Sequence, residues 1–226
     1  MGRNLTLTAS DGFKLGAYRA DPTSRPKGGV VVIQEIFGVN HHIRAMCDRL
    51  ADAGFSAMAP ALFDRIEPDF ESGYTAAEIQ SCMRFVQNPD FPAFLRDTAA
   101  AIQELKPTGP VSIMGFCLGG SVAFSAACEL EGLTSADCYY GGFIVKMAYR
   151  KPKIPTQMHF GALDSHIPMS DVATIRAKRP ECQVYVYEGA DHGFSCDERA
   201  SYHEEADRLS WKRSMEFLNR HHAAAV

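Results

Sequence analysis

The chain has 226 residues, 46% of them hydrophobic, which is enough to bury one substantial core. Its 23 basic and 27 acidic residues give a net charge of −4 and form no basic block or stripe, which argues against a nucleic-acid partner. The apolar runs are too short to span a bilayer, and the seven cysteines include no CxxC pair, so we expect a cytoplasmic protein without disulfides and without a membrane partner.

Apolar periodicity and turn signals predict an alternation of strands and helices along the chain. The predicted strands cover residues 5–9, 15–19, 29–36, 55–59, 111–116, 137–141, 156–161 and 182–188. The predicted helices run from the N-cap Asn40 to about residue 53 and over residues 75–87, 91–106, 118–131, 171–178 and 202–221.

This alternation predicts an α/β protein with a mostly parallel sheet and helices on both faces. The turn signal Asp11-Gly12 between the first two strands predicts antiparallel strands at the N-terminal edge. We expect one domain over residues 1–226. In such sheets ligands bind at the carboxyl ends of the strands, so functional residues should lie where a strand gives way to a loop.

The stretch GFCLGG at residues 115–120 places a cysteine among three glycines, between a predicted strand and a predicted helix. It matches the nucleophile elbow G-x-S-x-G, with Cys117 in the serine position. Gly115 and Gly119 suit the sharp turn because they have no Cβ, and the helix N-terminus favours a thiolate or an oxyanion. The alternative is a buried cysteine in a tight turn. A phosphate-binding turn would need a GxGxxG or GxxxxGK[ST] pattern, which this sequence lacks.

An acid and a histidine follow Cys117 in the order that an elbow enzyme requires. Asp164 and His192 each come just after a predicted strand, and they would orient the base and move the thiol proton. Asp191 competes for the role of the acid, but adjacent loop residues usually point apart. His166 competes for the role of the base, but its closeness to Asp164 in sequence places it at the pocket rim.

Glu35 is a charged residue at the end of a strongly apolar segment, GGVVVIQEIFGVN. Burying a bare carboxylate is costly, so Glu35 should be functional or should take part in a structural ion pair or backbone hydrogen bond. The loop that follows is also where the elbow fold supplies a second oxyanion donor. We therefore expect the backbone N–H groups of Ile36 and Leu118 to form the oxyanion hole.

Neither a metal nor a cofactor is expected, because the sequence contains no HExxH motif and no evident ligand cluster. His41 and His42 lie at the start of a predicted helix. We expect them to be solvated or to take part in the helix cap.

Four segments of the sequence resemble landmarks of the dienelactone hydrolase family, the carboxymethylenebutenolidases. They are QEIFGVN at 34–40, GFCLGG at 115–120, GALDSHIP at 161–168 and GADHGF at 189–194. The resemblance implies an α/β-hydrolase fold, usually monomeric, with Cys117, His192 and Asp164 as the catalytic triad. It also implies that Glu35 contacts the resting thiol and helps to activate it when substrate binds. The reaction it implies is the opening of an enol-lactone through an acyl-thiol intermediate, in the degradation of aromatic compounds.

The sequence departs from the family where arginines hold the carboxylate of dienelactone. Cys196 stands four residues after the histidine in place of one arginine, and Ile79 stands in place of the other. Arg65, Arg84 and Arg199 are possible substitutes, but none matches the motif. Because bidentate arginine pairing is the usual means of holding a carboxylate, a less charged ester or lactone is a plausible substrate.

The expected partners are a small ester or lactone and water, and the expected assembly is a monomer or a weak homodimer. Aromatic residues near the motifs are candidates for the walls of the substrate pocket, namely Phe37, Phe63, Tyr74 and Phe194. Two other functions stay open. The chain could be a binding module that has lost activity, since fold does not fix function. It could also be a redox sensor in which Cys196 resolves an oxidised Cys117.

Overall fold

The computed structural model describes residues 2–224 and contains one sheet of eight strands. The strands are β1 Arg3–Thr8, β2 Lys14–Ala20, β3 Gly29–Ile33, β4 Ser56–Pro60, β5 Val111–Phe116, β6 Ala136–Tyr139, β7 Thr156–Gly161 and β8 Gln183–Tyr187. The helices are α1 His41–Asp52, α2 Ala76–Cys82, α3 Arg84–Gln87, α4 Phe91–Leu105, α5 Leu118–Glu129, α6 Ile144–Met147, α7 Met169–Lys178 and α8 Glu204–Ala223. No helix in this part of the chain is both long and apolar enough to cross a membrane.

The sheet has the order β1-β2-β4-β3-β5-β6-β7-β8. The strands from β4 to β8 pair in parallel, whereas β1 and β2 are antiparallel to each other and β2 is antiparallel to β4. This confirms the predicted mostly parallel sheet with antiparallel strands at the N-terminal edge. Every residue of β3 and β5 is buried, as expected for strands covered on both faces.

The helices form two layers. On one layer α4 and α5 pack against each other and both contact β3. On the other, α1 contacts β3 and β4 and meets α8 where the Arg49 guanidinium lies 3.9 Å from the centre of the Trp211 ring. The architecture is that of an α/β-hydrolase fold. It places the carboxyl ends of β3, β5, β7 and β8 at one edge, where the loops that follow them can meet.

The first helix confirms the predicted cap, because the Asn40 side chain accepts a hydrogen bond from the backbone of Ile43. The predicted strand over residues 29–36 ends three residues early, at Ile33. Its pairing with β5 stops there, and the Gln34 side chain turns to accept the N–H of Leu62. Glu35 therefore lies in the loop beyond β3 rather than inside the strand.

The region after β4 differs most from the sequence prediction. Residues 75–87 form two short helices, α2 and α3, and a capping box between Thr75 and Glu78 starts the first of them. A 3-10 turn at Leu62–Arg65 and the four-residue helix α6 were not predicted. Segments this short hold too few apolar residues to produce a helical period.

Candidate active site

Cys117 sits at the apex of a sharp turn between β5 and α5. Its backbone is in a left-handed region, with φ 55° and ψ −115°, which is strained for any residue other than glycine. The neighbouring glycines make the turn possible. A Cβ on Gly115 would lie 2.0 Å from the carbonyl oxygen of Gly119, and a Cβ on Gly119 would lie 2.2 Å from that of Ile33. The half-buried Cys117 side chain thus lies beside the N-terminus of a buried helix.

Two backbone segments beside Cys117 carry the expected oxyanion donors. Leu118 is the first residue of α5, so its N–H belongs to the first helical turn, which has no acceptor within the helix. Ile36 lies in the loop after β3, and β3 is paired with β5 in the sheet. The topology therefore places both segments at the same edge of the sheet as Cys117.

Asp164 and His192 are in direct contact. The Oδ2 atom of Asp164 lies 2.7 Å from Nδ1 of His192, and Oδ1 accepts the backbone N–H groups of His166 and Ile167 at 2.9 and 3.1 Å. The carboxylate is 3% exposed. Burial alone would raise the pKa of Asp164, but the hydrogen bond from His192 and the two from the backbone hold it below its ordinary value. Asp164 is thus an anion held in place by its hydrogen bonds and in direct contact with the imidazole.

The His192 imidazole also contacts the Cys117 thiol. Burial opposes a charged imidazole, but the charge of Cys117 and the hydrogen bonds with Asp164 and Cys117 outweigh this effect and raise the pKa of His192 to about 10. An imidazolium is therefore favoured at neutral pH. Carboxylate, imidazole and sulphur form one continuous line of contacts.

The two competing residues take other positions. The carboxylate of Asp191 accepts the backbone N–H of His192 at 2.6 Å and lies on the exposed surface. The ring of His166 lies 5.4 Å from the His192 ring, centre to centre, and is exposed. The hydrogen bond of Asp191 is thus to the backbone of His192, whereas Asp164 contacts the ring, and a place for His166 at the pocket rim stays a prediction.

Glu35 is buried and paired with an arginine. Its Oε1 atom accepts a hydrogen bond from Nη1 of Arg199 at 3.1 Å, and the Glu35 side chain is 1% exposed. Its other oxygen, Oε2, is buried and has no hydrogen-bond partner among residues 2–224. The charge of Cys117 acts on the Arg199 guanidinium, so this ion pair lies close to the thiol. The structural interpretation of Glu35 is confirmed by this ion pair, and a functional role stays a prediction.

The sequence model of the dienelactone hydrolase family matches residues 15–222. The chain belongs to the dienelactone hydrolase family. A carboxymethylenebutenolidase from Pseudomonas putida is 30% identical over 95% of this chain and 94% of its own length. A Synechocystis protein provisionally given the same name is 34% identical over 92% of this chain and 93% of its own. The crystal structure of a Klebsiella pneumoniae protein, provisionally named a dienelactone hydrolase, superposes with a TM-score of 0.84 at 29% identity and covers 96% of this chain and 98% of that one.

Membership of this family makes the chain a hydrolase. The three arginines considered as substitutes for the family's carboxylate-binding arginines have different surroundings. Arg65 binds Asp97 through two hydrogen bonds of 2.8 and 2.7 Å and also contacts Asp11. Arg84 pairs with Glu67. Both are therefore already paired with carboxylates. Arg199 alone among the three lies in the site.

Gly193, next to His192, makes the position of Arg199 possible. Gly193 has φ +75°, and a Cβ there would lie 2.3 Å from Nη1 of Arg199. The guanidinium therefore packs directly on the backbone beside the candidate base. The sequence did not show this contact, because Arg199 stands seven residues after His192 rather than four.

The four candidate pocket residues fall into two groups. The Phe37 ring packs edge-on against Tyr74 at 4.7 Å, and the Arg199 guanidinium lies 5.6 Å from the Phe37 ring, so both aromatic residues adjoin the site. Phe63 instead stacks on Phe85 at 4.0 Å within a phenylalanine cluster. Phe194 packs among Tyr139, Tyr140 and Tyr187. Both of these phenylalanines are core residues, and their role as pocket walls stays a prediction.

Two smaller expectations change in the structure. His41 is exposed and pairs with Glu198, but the expectation for His42 was wrong, because His42 is 4% exposed and its helix is already capped by Asn40. Cys196 is fully buried, and burial, followed by the charge of Glu35, raises the pKa of its thiol to about 12. Because thiolate character governs oxidation, Cys196 is poorly suited to act as a redox partner of Cys117.

Proposed function

We propose that this chain is a cysteine-dependent hydrolase that opens an enol-lactone, or cleaves an activated ester, through an acyl-thiol intermediate. The observation that carries the proposal is the line of contacts from Asp164 through His192 to Cys117 at the apex of the elbow. The Pseudomonas putida relative carries the name of the corresponding lactone hydrolase.

The proposed reaction has two halves. The sulphur of Cys117 bonds to the acyl carbon, and the carbonyl oxygen takes the negative charge and accepts hydrogen bonds from the backbone N–H groups of Ile36 and Leu118. The intermediate collapses by breaking the bond to the leaving oxygen, which takes the proton of the His192 imidazolium and leaves His192 neutral. His192 then takes a proton from water, whose oxygen attacks the thioester and releases the acid and the thiol.

The leaving group decides which substrates suit a thiol. An enolate or a phenolate leaves a tetrahedral intermediate about as readily as a thiolate does, whereas an alkoxide leaves less readily. An attacking thiolate is thus expelled again when the substrate is a simple alkyl ester. We therefore propose that enol-lactones and aryl esters react faster than alkyl esters.

Glu35 and Arg199 are the proposed link between substrate binding and activation of the thiol. Arg199 offers a cation near Cys117, and the Oε2 atom of Glu35 has no partner of its own. A substrate carboxylate could pair with Arg199, and a change in the Glu35–Arg199 pair would then alter the field at the sulphur. The presence of Arg199 weakens the argument from sequence for a less charged substrate.

The setting that we propose is cytoplasmic, and all seven cysteines are free, as a reducing compartment requires. We propose that the chain works as one domain over residues 1–226, as a monomer or weak homodimer, on a small ester or lactone and water.

The test is intact-mass detection of an acyl adduct after brief mixing with enol-lactones, aryl esters and alkyl esters. An adduct on Cys117 is expected for the first two classes, and Cys117→Ala should abolish both the adduct and turnover. His192→Gln should block formation of the adduct or let it accumulate. Hydrolysis that persists in Cys117→Ala, or alkyl esters that turn over as fast as aryl esters, would contradict the proposal.

A further inference from the structure

Three donor side chains meet beside the active site at a place that the proposed reaction does not use as a unit. Glu35 lies in the loop after β3, His42 in the first turn of α1, and Cys196 in the loop after β8. One carboxylate oxygen, one imidazole nitrogen and the thiol sulphur all lie within 4.8 Å of one another. We call these three residues the Glu35–His42–Cys196 cluster.

The cluster is buried and its polar atoms are incompletely paired. Glu35, His42 and Cys196 are 1%, 4% and 0% exposed. Both Oε2 of Glu35 and Nε2 of His42 are buried without a hydrogen-bond partner among residues 2–224. An unpaired buried donor or acceptor costs about 1–3 kcal/mol, and more when it is charged. Two buried polar atoms without partners, on residues whose donor atoms lie this close together, are suited to share one ligand, either an ion or a water molecule.

The donor set selects among ions. Thiolate, imidazole and carboxylate together are the ligands that Zn²⁺ takes in proteins, whereas Ca²⁺ and Mg²⁺ take oxygen ligands only. Around a tetrahedral Zn²⁺ these donors would be separated by about 3.3–3.6 Å, as bond lengths of 2.0–2.3 Å require. Since the donor atoms lie within 4.8 Å of one another, they would have to approach by at most about 1.5 Å, a movement that side-chain rotation can supply.

A path to the cluster exists on the side of His42. His42 lines a crevice of about 110 Å³ whose lining also includes Asp197, Asp207 and the basic residue Arg49. Asp207 is paired with Arg49 at 3.5 Å, and Asp197 is exposed at the surface. Carboxylates at the mouth of a cleft raise the local concentration of cations. An ion can therefore approach the imidazole without passing the Cys117 thiol.

We propose that Glu35, His42 and Cys196 bind one Zn²⁺ ion, with a water molecule completing four-fold coordination. Binding replaces the proton of the Cys196 thiol, which is released to solvent, and uses the free electron pair of Nε2 on a neutral His42. The ion makes and breaks no bond of the ester reaction, but it shares Glu35 with the pair proposed to link substrate binding to activation of the thiol. It binds Glu35 through Oε2, the oxygen that Arg199 leaves free.

The test is titration of the Cys117→Ala protein with Co²⁺ and then with Zn²⁺. Removing Cys117 excludes the active-site thiol as a ligand, and Co²⁺ reports a bound thiolate through a sulphur-to-metal charge-transfer band. We expect one Co²⁺ per chain with this band, displacement by Zn²⁺, and a rise in Tm on Zn²⁺ binding. Cys196→Ser should abolish the band. His42→Gln should weaken binding by at least about tenfold, because loss of even an outer-shell partner costs that much.

His41→Gln and Cys128→Ser are the matched controls, because they remove a neighbouring histidine and a half-buried cysteine outside the cluster. Both should leave the band and the affinity unchanged. A ¹¹³Cd NMR spectrum of the Cys117→Ala protein needs no further variant, so it decides the question even where Cys196→Ser or His42→Gln does not fold. We expect one resonance at a shift typical of a single thiolate ligand. Absence of metal binding, which would assign the cluster to a buried water, overturns the proposal, as does binding that survives both Cys196→Ser and His42→Gln.

Discussion

The Nδ1 atom of His192 lies 2.7 Å from Oδ2 of Asp164, although the two residues are 28 positions apart in the chain. The loops after β7 and β8 bring them together, since the backbone N–H of Leu163 donates to the carbonyl of Ala190 at 2.9 Å. Two further hydrogen bonds from backbone N–H groups hold the other oxygen of Asp164. The carboxylate is therefore held in place by contacts that do not involve the thiol.

Asp164→Asn should lower kcat/KM by about 10³- to 10⁴-fold, the scale that loss of the orienting carboxylate has in a Ser-His-Asp enzyme. The amide keeps the shape but no longer stabilises the imidazolium. Steady-state hydrolysis of an aryl ester is the measurement. Asp191→Asn is the control and should stay within about twofold of the parent, because Asp191 holds only the backbone of His192. Equal losses in the two variants would contradict the assignment of Asp164.

The charge of His192 should make stability depend on pH at the alkaline side. The pKa of His192 rises from 6.5 to about 10 on folding, so its contribution to the free energy of unfolding is complete below pH 6.5 and is lost as pH rises through about 10. Urea unfolding of the parent and of His192→Gln between pH 6 and pH 10.5 should therefore show the two stabilities converging as pH rises. A gap that widens with pH would reverse the sign and exclude the imidazolium.

Arg199→Gln should discriminate between charged and neutral substrates. Loss of a charge-assisted hydrogen bond is worth about 1.5–3 kcal/mol, so KM for a carboxylate-bearing enol-lactone should rise about 10- to 100-fold. KM for the methyl ester of the same lactone should change by less than about threefold. Arg84→Gln is the matched control, because Arg84 pairs with Glu67. If Arg199→Gln affects both substrates equally, Arg199 acts through Glu35 rather than on the substrate.

Gly115→Ala should destabilise the chain by about 3 kcal/mol, because the new Cβ would meet backbone that cannot move without unwinding the elbow. Its nearest neighbour would be the Gly119 carbonyl oxygen at 2.0 Å. At Gly142 the nearest atom to a new Cβ is 3.9 Å away, so Gly142→Ala should change stability by less than about 0.5 kcal/mol. Urea unfolding checks both. Equal stabilities would show that the elbow relaxes.

The sheet could be predicted, and three candidate site residues could be placed at strand ends, because their signals are local. Apolar strands and a glycine-flanked cysteine can each be recognised from a few consecutive residues, and Asp164 and His192 each follow a strand. The 3-10 turn at Leu62–Arg65 and the helix α6 escaped prediction, and residues 75–87 were predicted as one helix rather than two, because segments this short give too brief a periodic signal.

The positions of His42, Cys196 and Arg199 could not be predicted because they depend on packing between loops far apart in sequence. His42 looks like one of two histidines at a solvated helix start, and only the folded chain turns it towards Glu35. Arg199 reaches Glu35 because Gly193 leaves room for its guanidinium. The spacing of residues along the sequence does not show where the fold leaves room for a side chain.

The loop from His192 to His203 carries the imidazole, the Cys196 thiol and the Arg199 guanidinium within one short excursion. It is closed by backbone hydrogen bonds from Cys196 to Gly193, from Arg199 to Cys196 and from His203 to Phe194. The loop is therefore held together by its own hydrogen bonds, and it could be exchanged as a unit without changing the sheet. Transplanting this loop between relatives should transfer the preference for one substrate over another. Asp164 lies outside the loop, so its carboxylate would still contact the histidine that the new loop carries.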